Sequence, residues 1–155
     1  LNPLFTFAVA GFNMRSTEIN AVLGLQQMKR IDFNISQRVK NLDIWLKHLD
    51  STKYYTEFDT EGNSNFALPL VMNLEYRNKL KSVCEVLEQE KVEYRLGTAG
   101  GGNQAFQPYL KKYTCRILGE LDTVDYIHKY SLYIGNHTDL TSEQIINLCN
   151  KLNNV

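Results

Sequence analysis

The chain has 155 residues, 43% of them hydrophobic and 22% charged, which suits one folded domain. Seventeen basic and 17 acidic residues cancel, so nothing marks it as a nucleic-acid binder or a basic membrane-surface protein. No apolar run approaches the roughly 20 residues that a membrane-spanning helix needs, and no signal peptide is visible.

Residues 1–10 are apolar, with Phe5, Phe7 and Val9 alternating, and read as a strand or extended arm. The chain begins at Leu1 in mid-pattern, so an upstream part is expected. Gly11 permits an unusual backbone angle, Ser16 is the expected N-cap, and Glu18 suits a first helical turn. From Ile19 through Val22, Leu25, Met28, Ile31, Ile35, Val39, Leu42, Trp45 and Leu49, apolar residues recur mainly at steps of three and four. That spacing predicts one long helix to about Asp50, of the kind that bridges domains or lines a subunit interface.

Tyr54–Phe58 and Phe66–Met72 read as strands around the turn-rich 60–65 stretch, and they suit a hairpin. Pro69 places the second at an edge or bulge. Tyr76, Leu80, Val83, Cys84 and Leu87 mark an amphipathic helix, and residues 92–96 form a short strand. Gly97-Thr98-Ala99-Gly100-Gly101-Gly102-Asn103 is a glycine-rich loop, neither a Walker loop nor a GxGxxG motif. It signals either flexibility or a close backbone approach to a ligand. A helical turn over 104–110, a helix over 121–130 and a brief strand over 132–135 follow. Thr141 and Gln144 make a capping box before a terminal helix. The order predicts an α/β sandwich with a small, mostly antiparallel sheet.

Cys84, Cys115 and Cys149 are odd in number and widely spaced, which reads as thiols in a reducing compartment; no metal site is expected. His48 is expected at the surface and His128 in a structural role. His137, in the loop after the last strand, is divided between substrate contact and loop structure. Asn13 and Arg15 flank a turn before a helix, where an amide and a guanidinium suit a phosphate or carboxylate. No nucleophile–base arrangement can be read from spacing.

Residues 11–28, Gly-Phe-Asn-Met-Arg-Ser-Thr-Glu-Ile-Asn-Ala-Val-Leu-Gly-Leu-Gln-Gln-Met, closely resemble a stretch of the DegT/StrS-type nucleotide-sugar aminotransferases. Gln107-Pro108-Tyr109 and Ile134-Gly135-Asn136-His137 match further elements of that family in order. The resemblance implies the small C-terminal domain of a fold-type-I pyridoxal-phosphate enzyme. Residues 1–50 would be the end of the large domain and a long bridging helix, and residues 51–155 the small α/β domain. It implies a cytoplasmic homodimer acting on a nucleotide-diphosphate sugar with an amino donor, in amino- and deoxysugar synthesis for surface polysaccharide.

The family's cofactor-bearing lysine lies upstream, so no catalytic residue is assigned here. The chain by itself is expected to be inactive and to bind neither pyridoxal nor pyridoxamine phosphate. By resemblance Asn13 reaches the cofactor phosphate of a partner subunit, with Arg15 supporting it. Arg95, Asn103, Gln104, Gln107, Tyr109 and His137 are the expected substrate contacts. The glycine-asparagine element before Gln107-Pro108 departs from the histidine-rich aminotransferase pattern. It looks more like the sugar 3-dehydratase branch, which uses the aminated cofactor and has a histidine in place of the lysine. An interaction domain without catalysis is a third alternative.

Overall fold

The structure, a computed structural model, describes residues 16–97, 102–103, 105 and 116–155. They fall into two compact units, one ending at Phe33 and one running from Asn34 to Val155.

In the first unit, helix α1 spans Glu18–Met28. Its N-cap is Thr17 rather than Ser16: the Thr17 hydroxyl accepts from the Asn20 N–H at 3.3 Å. The long helix expected to Asp50 is two helices. A turn at Lys29-Arg30, where the Arg30 N–H reaches back to the Gln27 carbonyl, separates α1 from α2 (Ile31–His48). Ile19, Val22, Leu23, Leu25 and Met28 on α1 are all exposed.

The second unit is built on a three-stranded antiparallel sheet of β1 (Ala67–Val71), β2 (Tyr94–Leu96) and β3 (Ser131–Gly135), ordered β1-β3-β2. The expected hairpin is absent among the described residues. Tyr54 makes a single bridge to Met72, and β1 pairs with β3 instead. Helix α3 (Leu80–Gln89) follows a 3-10 turn over Leu74–Lys79. Helix α4 (Asp122–Tyr130) leads directly into β3, and α5 (Ser142–Asn153) closes the chain with the expected capping box. The small, mostly antiparallel sheet packed with helices is therefore present. Cys84 and Cys149 are free thiols, the second fully buried, and burial raises its pKa to about 12.

Register explains the core. Leu68 and Leu70 face Ile134 and Leu132 across the β1–β3 ladder, and the period-2 alternation puts all four on one buried face. Leu42 and Trp45 of α2, Leu49, Val83 and Leu87 of α3, and Ile145, Cys149 and Leu152 of α5 complete the core. Pro69 lies on edge strand β1, as proline requires. Its carbonyl is free of the ladder and accepts the Trp45 indole N–H at 2.7 Å.

Two polar devices lock the helices together. At the end of α2, Asn153 donates to the otherwise unpaired His48 carbonyl at 2.8 Å and accepts from the Asp50 N–H at 2.9 Å. The buried Tyr54 hydroxyl donates to the Leu152 carbonyl at 2.7 Å. Burial raises the Tyr54 pKa, so it remains a neutral donor. At the other end, Asn136 and Asn41 are both buried. Asn136 donates to the Arg38 and Asn65 carbonyls at 3.0 and 2.9 Å, and accepts from the Asn41 amide at 3.0 Å. The Asn41 amide also reaches the His137 carbonyl at 3.1 Å.

Candidate functional site

Strand alternation puts Arg95 of β2 on the face opposite the core, directly across from Tyr133 of β3. Arg95 is exposed and Tyr133 half-buried. Phe66, just before β1, meets the Tyr133 ring edge-on at a centroid distance of 6.1 Å and is 70% exposed. A guanidinium, a phenol and an exposed ring thus share one open face of the sheet. Such a row can pair with an anionic oxygen and stack on a flat group. Sequence reading singled out Arg95 but neither aromatic. The signal for Tyr133 was the alternation of Leu132 and Ile134 around it, which becomes informative once the register is known.

One residue beyond β2 the chain enters the glycine-rich loop. The Gly97 N–H donates to the Ser131 carbonyl at 2.7 Å. A Cβ built there would lie 2.1 Å from the Ile127 carbonyl oxygen and 2.6 Å from Ser131 Oγ. At Gly97, the first residue of this loop, the close approach is to the protein's own backbone, and residues 98–101, on which the choice between flexibility and a ligand rests, lie outside the described residues. The first contact is with a carbonyl that cannot rotate away, so alanine has to displace the end of α4. Gly97→Ala should cost about 1–3 kcal/mol, the usual range for overpacking. A urea melt would show it as a lower midpoint with unchanged slope; an unchanged midpoint would mean the backbone yields freely.

Asn103 is buried, and both ends of its side chain are engaged by protein. Its Nδ2 donates to Asp125 Oδ1, its Oδ1 accepts from the Ala105 N–H at 2.9 Å, and its backbone N–H donates to His128 Nδ1 at 3.0 Å. His128 has the structural role expected of it, as the acceptor that fixes this corner. Beside α4, a cleft of about 560 Å³ opens between Tyr55, Phe58, Val71, Asp122 and Tyr126. The Tyr126 hydroxyl donates to the Met72 carbonyl at 2.8 Å, and burial raises its pKa.

Arg95 and Asn103 flank the glycine-rich loop in the sequence, and the sheet register sets His137 apart from Arg95. β2 runs antiparallel to β3, so Leu96 pairs with Leu132 near the start of β3, whereas His137 follows its end. At about 3.3 Å per residue the two ends of this strand lie roughly 13 Å apart. His137 is exposed, with Nδ1 accepting from the Asp139 N–H at 3.2 Å and 3.6 Å from the Asp139 carboxylate. Asn13, Arg15, Gln104, Gln107 and Tyr109 lie outside the described residues, as do Cys115 and most of the helical turn expected over 104–110. Among the described residues no group of His, Cys, Asp and Glu is arranged to hold a metal ion. No helix among them is long and apolar enough to cross a membrane.

Comparison with known proteins gives this geometry a family. Residues 3–153 match the model of the DegT/DnrJ/EryC1/StrS aminotransferase family. The chain belongs to that family. Over 150 residues it is 31% identical to the GDP-4-keto-6-deoxy-D-mannose 3-dehydratase of Yersinia pseudotuberculosis, covering 96% of this chain and 38% of that protein. Its fold is that of the E. coli GDP-4-keto-6-deoxy-D-mannose-3-dehydratase solved with bound hydrated PLP, at a TM-score of 0.81 and 24% identity, over 97% of this chain and 39% of that one. It is also that of Helicobacter pylori PseC, an aminotransferase involved in pseudoaminic acid biosynthesis, at a TM-score of 0.72 and 18% identity, over 95% and 39% of the two chains. The small domain of the pyridoxal-phosphate aminotransferase fold, expected from the motif at residues 11–28, is thus the fold observed. The chain spans less than two fifths of the length of these relatives.

Proposed function

We propose that this chain supplies the small domain of a pyridoxal-phosphate-dependent enzyme acting on a keto-sugar nucleotide, and that the enzyme removes the 3-hydroxyl. The 31% identity to a GDP-4-keto-6-deoxy-D-mannose 3-dehydratase over nearly the whole chain carries this reading. The glycine-asparagine element at Gly102-Asn103, where aminotransferases of this family carry histidines, supports it. The second reading is transamination of a related keto-sugar; the PseC fold likeness and the family's usual activity favour it. In either case the pathway is deoxy- or aminosugar synthesis for surface polysaccharide, and the place of action is the cytoplasm.

The donor set fits the cofactor. Asn13 offers a neutral amide and Arg15 a guanidinium, the two donor types that suit a phosphate at the turn before a helix. When bound, the cofactor supplies an electron sink for chemistry at the sugar carbons, and the protein supplies orientation and charge. Arg95, across from Tyr133 on the sheet face opposite the core, offers a guanidinium to a sugar-nucleotide diphosphate, and its exposure supports that reading. Gln104, Gln107 and Tyr109 offer hydrogen bonds to sugar hydroxyls, the stretch that carries them starts at Asn103, and His137 serves a separate edge of the site. Residues 1–50 join this domain to a large cofactor domain, and the exposed apolar side chains of α1 suit cover by that domain or by a second subunit.

The deciding experiment incubates the polypeptide that includes the upstream segment with GDP-4-keto-6-deoxymannose, glutamate and pyridoxal phosphate. Mass spectrometry of the product separates loss of the 3-hydroxyl oxygen from replacement of a keto oxygen by an amine. A 3-deoxy product supports the first reading, an amino sugar the second, and no turnover of any keto-sugar nucleotide rejects both. In the same protein Asn13→Ala should weaken cofactor retention about tenfold or more, the loss of one charge-assisted hydrogen bond. Unchanged affinity by absorbance titration would remove the assignment.

A further inference from the structure

We propose that Arg38 of α2 anchors a docking surface for the upstream part of the enzyme, and that the segment docking there presents a carboxylate to it. That this chain is joined to a further domain rests on the reading above; the surface itself is a property of this chain alone.

Helical spacing runs one stripe along α2. Leu42, Trp45 and Leu49 continue it at the C-terminal end and are buried in the core. Counting back by three and four from Leu42 gives Val39 and Arg38, and from Arg38 gives Ile35 and Asn34. The stripe goes on, but its cover stops: Ile35 and Val39 are 42% and 43% exposed. The polar members are in the converse position. Arg38 Nε and Asn34 Oδ1 are shut off from solvent, and neither has a hydrogen-bond partner among the described residues. Ser64 Oγ is the third such atom among them. It belongs beside the same turn of helix, because the neighbouring Asn65 carbonyl and the Arg38 carbonyl accept from one nitrogen, Asn136 Nδ2, at 2.9 and 3.0 Å. Every buried side-chain atom left without a partner among the described residues thus falls at this one corner.

A buried guanidinium N–H without an acceptor is costly, and native proteins rarely leave one so. Water satisfies an Nε–H, and an inorganic anion pairs with the charge, but both leave Ile35 and Val39 exposed. A protein segment that brings a carboxylate to Arg38 and apolar side chains to Ile35 and Val39 answers both needs. A carboxylate suits the guanidinium because Nε–H and an Nη–H lie side by side for its two oxygens. More than three fifths of each relative's chain lies outside the match, so these relatives have ample further chain to dock at such a corner.

The test reads amide exchange at residues 34–42 and, as a control, in α5. It is made on the 155-residue chain and on the polypeptide with the upstream segment, each as wild type, Arg38→Met and Arg38→Glu. Methionine keeps an unbranched apolar stem without the charge, and glutamate reverses the charge. The upstream segment should slow exchange at 34–42 about tenfold or more in the wild type. Arg38→Met should remove most of that gain. Arg38→Glu should speed exchange about threefold or more beyond Arg38→Met, because it sets two carboxylates against each other. In the 155-residue chain both variants should stay within about twofold of the wild type, since no pair is lost there. α5 should remain protected throughout.

Equal protection at 34–42 in the two wild-type polypeptides overturns the docking surface. Protection that is gained but indifferent to Arg38→Met removes Arg38 as its anchor. Equal effects of methionine and glutamate rule out the carboxylate. Variants that loosen the 155-residue chain as much as the longer polypeptide mark a role internal to this domain and overturn the proposal. Inorganic phosphate added to the 155-residue chain is the last control: protection at 34–42 equal to that given by the upstream segment means a small-anion site and overturns the protein partner. None of these readouts uses turnover. A longer polypeptide that acts on no keto-sugar nucleotide therefore sinks the proposed function and leaves this test standing.

Discussion

Trp45→Ala should cost the 155-residue chain about 4–5 kcal/mol of unfolding free energy, the upper part of the range for deleting a buried aromatic side chain. Trp45 is fully buried on α2 and belongs to the same core as the inner sheet face and α5. It also supplies the hydrogen bond that the edge strand needs. Pro69 has no N–H to give, and its carbonyl points away from β3, where the indole satisfies it at 2.7 Å. Alanine therefore leaves a cavity among Leu68, Ile134 and Ile145 and an orphaned carbonyl beside it. Trp45→Phe separates the two effects: it keeps most of the apolar contact and should lose about 1–2 kcal/mol, the worth of the bond and its carbonyl. Trp45 is the only tryptophan, so the variants have to be followed by far-UV circular dichroism. A Trp45→Ala loss under about 1 kcal/mol would show that the core closes around the deletion, contrary to the usual cavity cost.

Trp45 also shows what the sequence makes legible. Its place in the run of apolar steps marks it as a core residue of a helix, and α2 bears this out. The same period runs unbroken through Met28 and Ile31, and Lys29 and Arg30 are good helix formers, so no glycine or proline betrays the turn that ends α1. Tyr54–Phe58, with three aromatics and a threonine in five residues, has the composition of a strand. Yet the Tyr54 ring is drawn into the core by the Leu152 carbonyl, and after the Tyr55 N–H bonds the Val71 carbonyl the ladder stops. These are tertiary outcomes, and local pattern holds no record of them. The site divides in the same way. A glycine-rich loop after a strand announces a close approach, but the partner at Gly97 comes from residues 127–131, some thirty positions later in the chain. Asn103 reads as a polar loop residue with its side chain available. Only the fold shows that Asp125 and His128 hold it.

Asn136→Leu should cost about 3 kcal/mol, because it strips partners from several buried groups at once. The Asn65 carbonyl loses its donor, the Arg38 carbonyl loses the donor it has beyond its helical bond, and the Asn41 amide loses one of its two acceptors. Asn136 sits where β3 gives way to the His137 loop, so these bonds tie that loop to α2 and to the residue preceding Phe66. A polar pair inside a helix-to-loop contact is easy to mistake for surface, since asparagine is common in both settings. What distinguishes Asn41 and Asn136 is that both are buried and bonded to each other. Asn41→Leu alone should cost less, about 1–2 kcal/mol, because Asn136 retains both of its backbone carbonyls. The double variant should then be more stable than the sum of the two losses predicts, with a coupling of about 1 kcal/mol, as expected for residues in one network. A cycle of urea melts on the four proteins measures this. Simple additivity would mean that the two amides act independently, and that the His137 loop is held by its backbone alone.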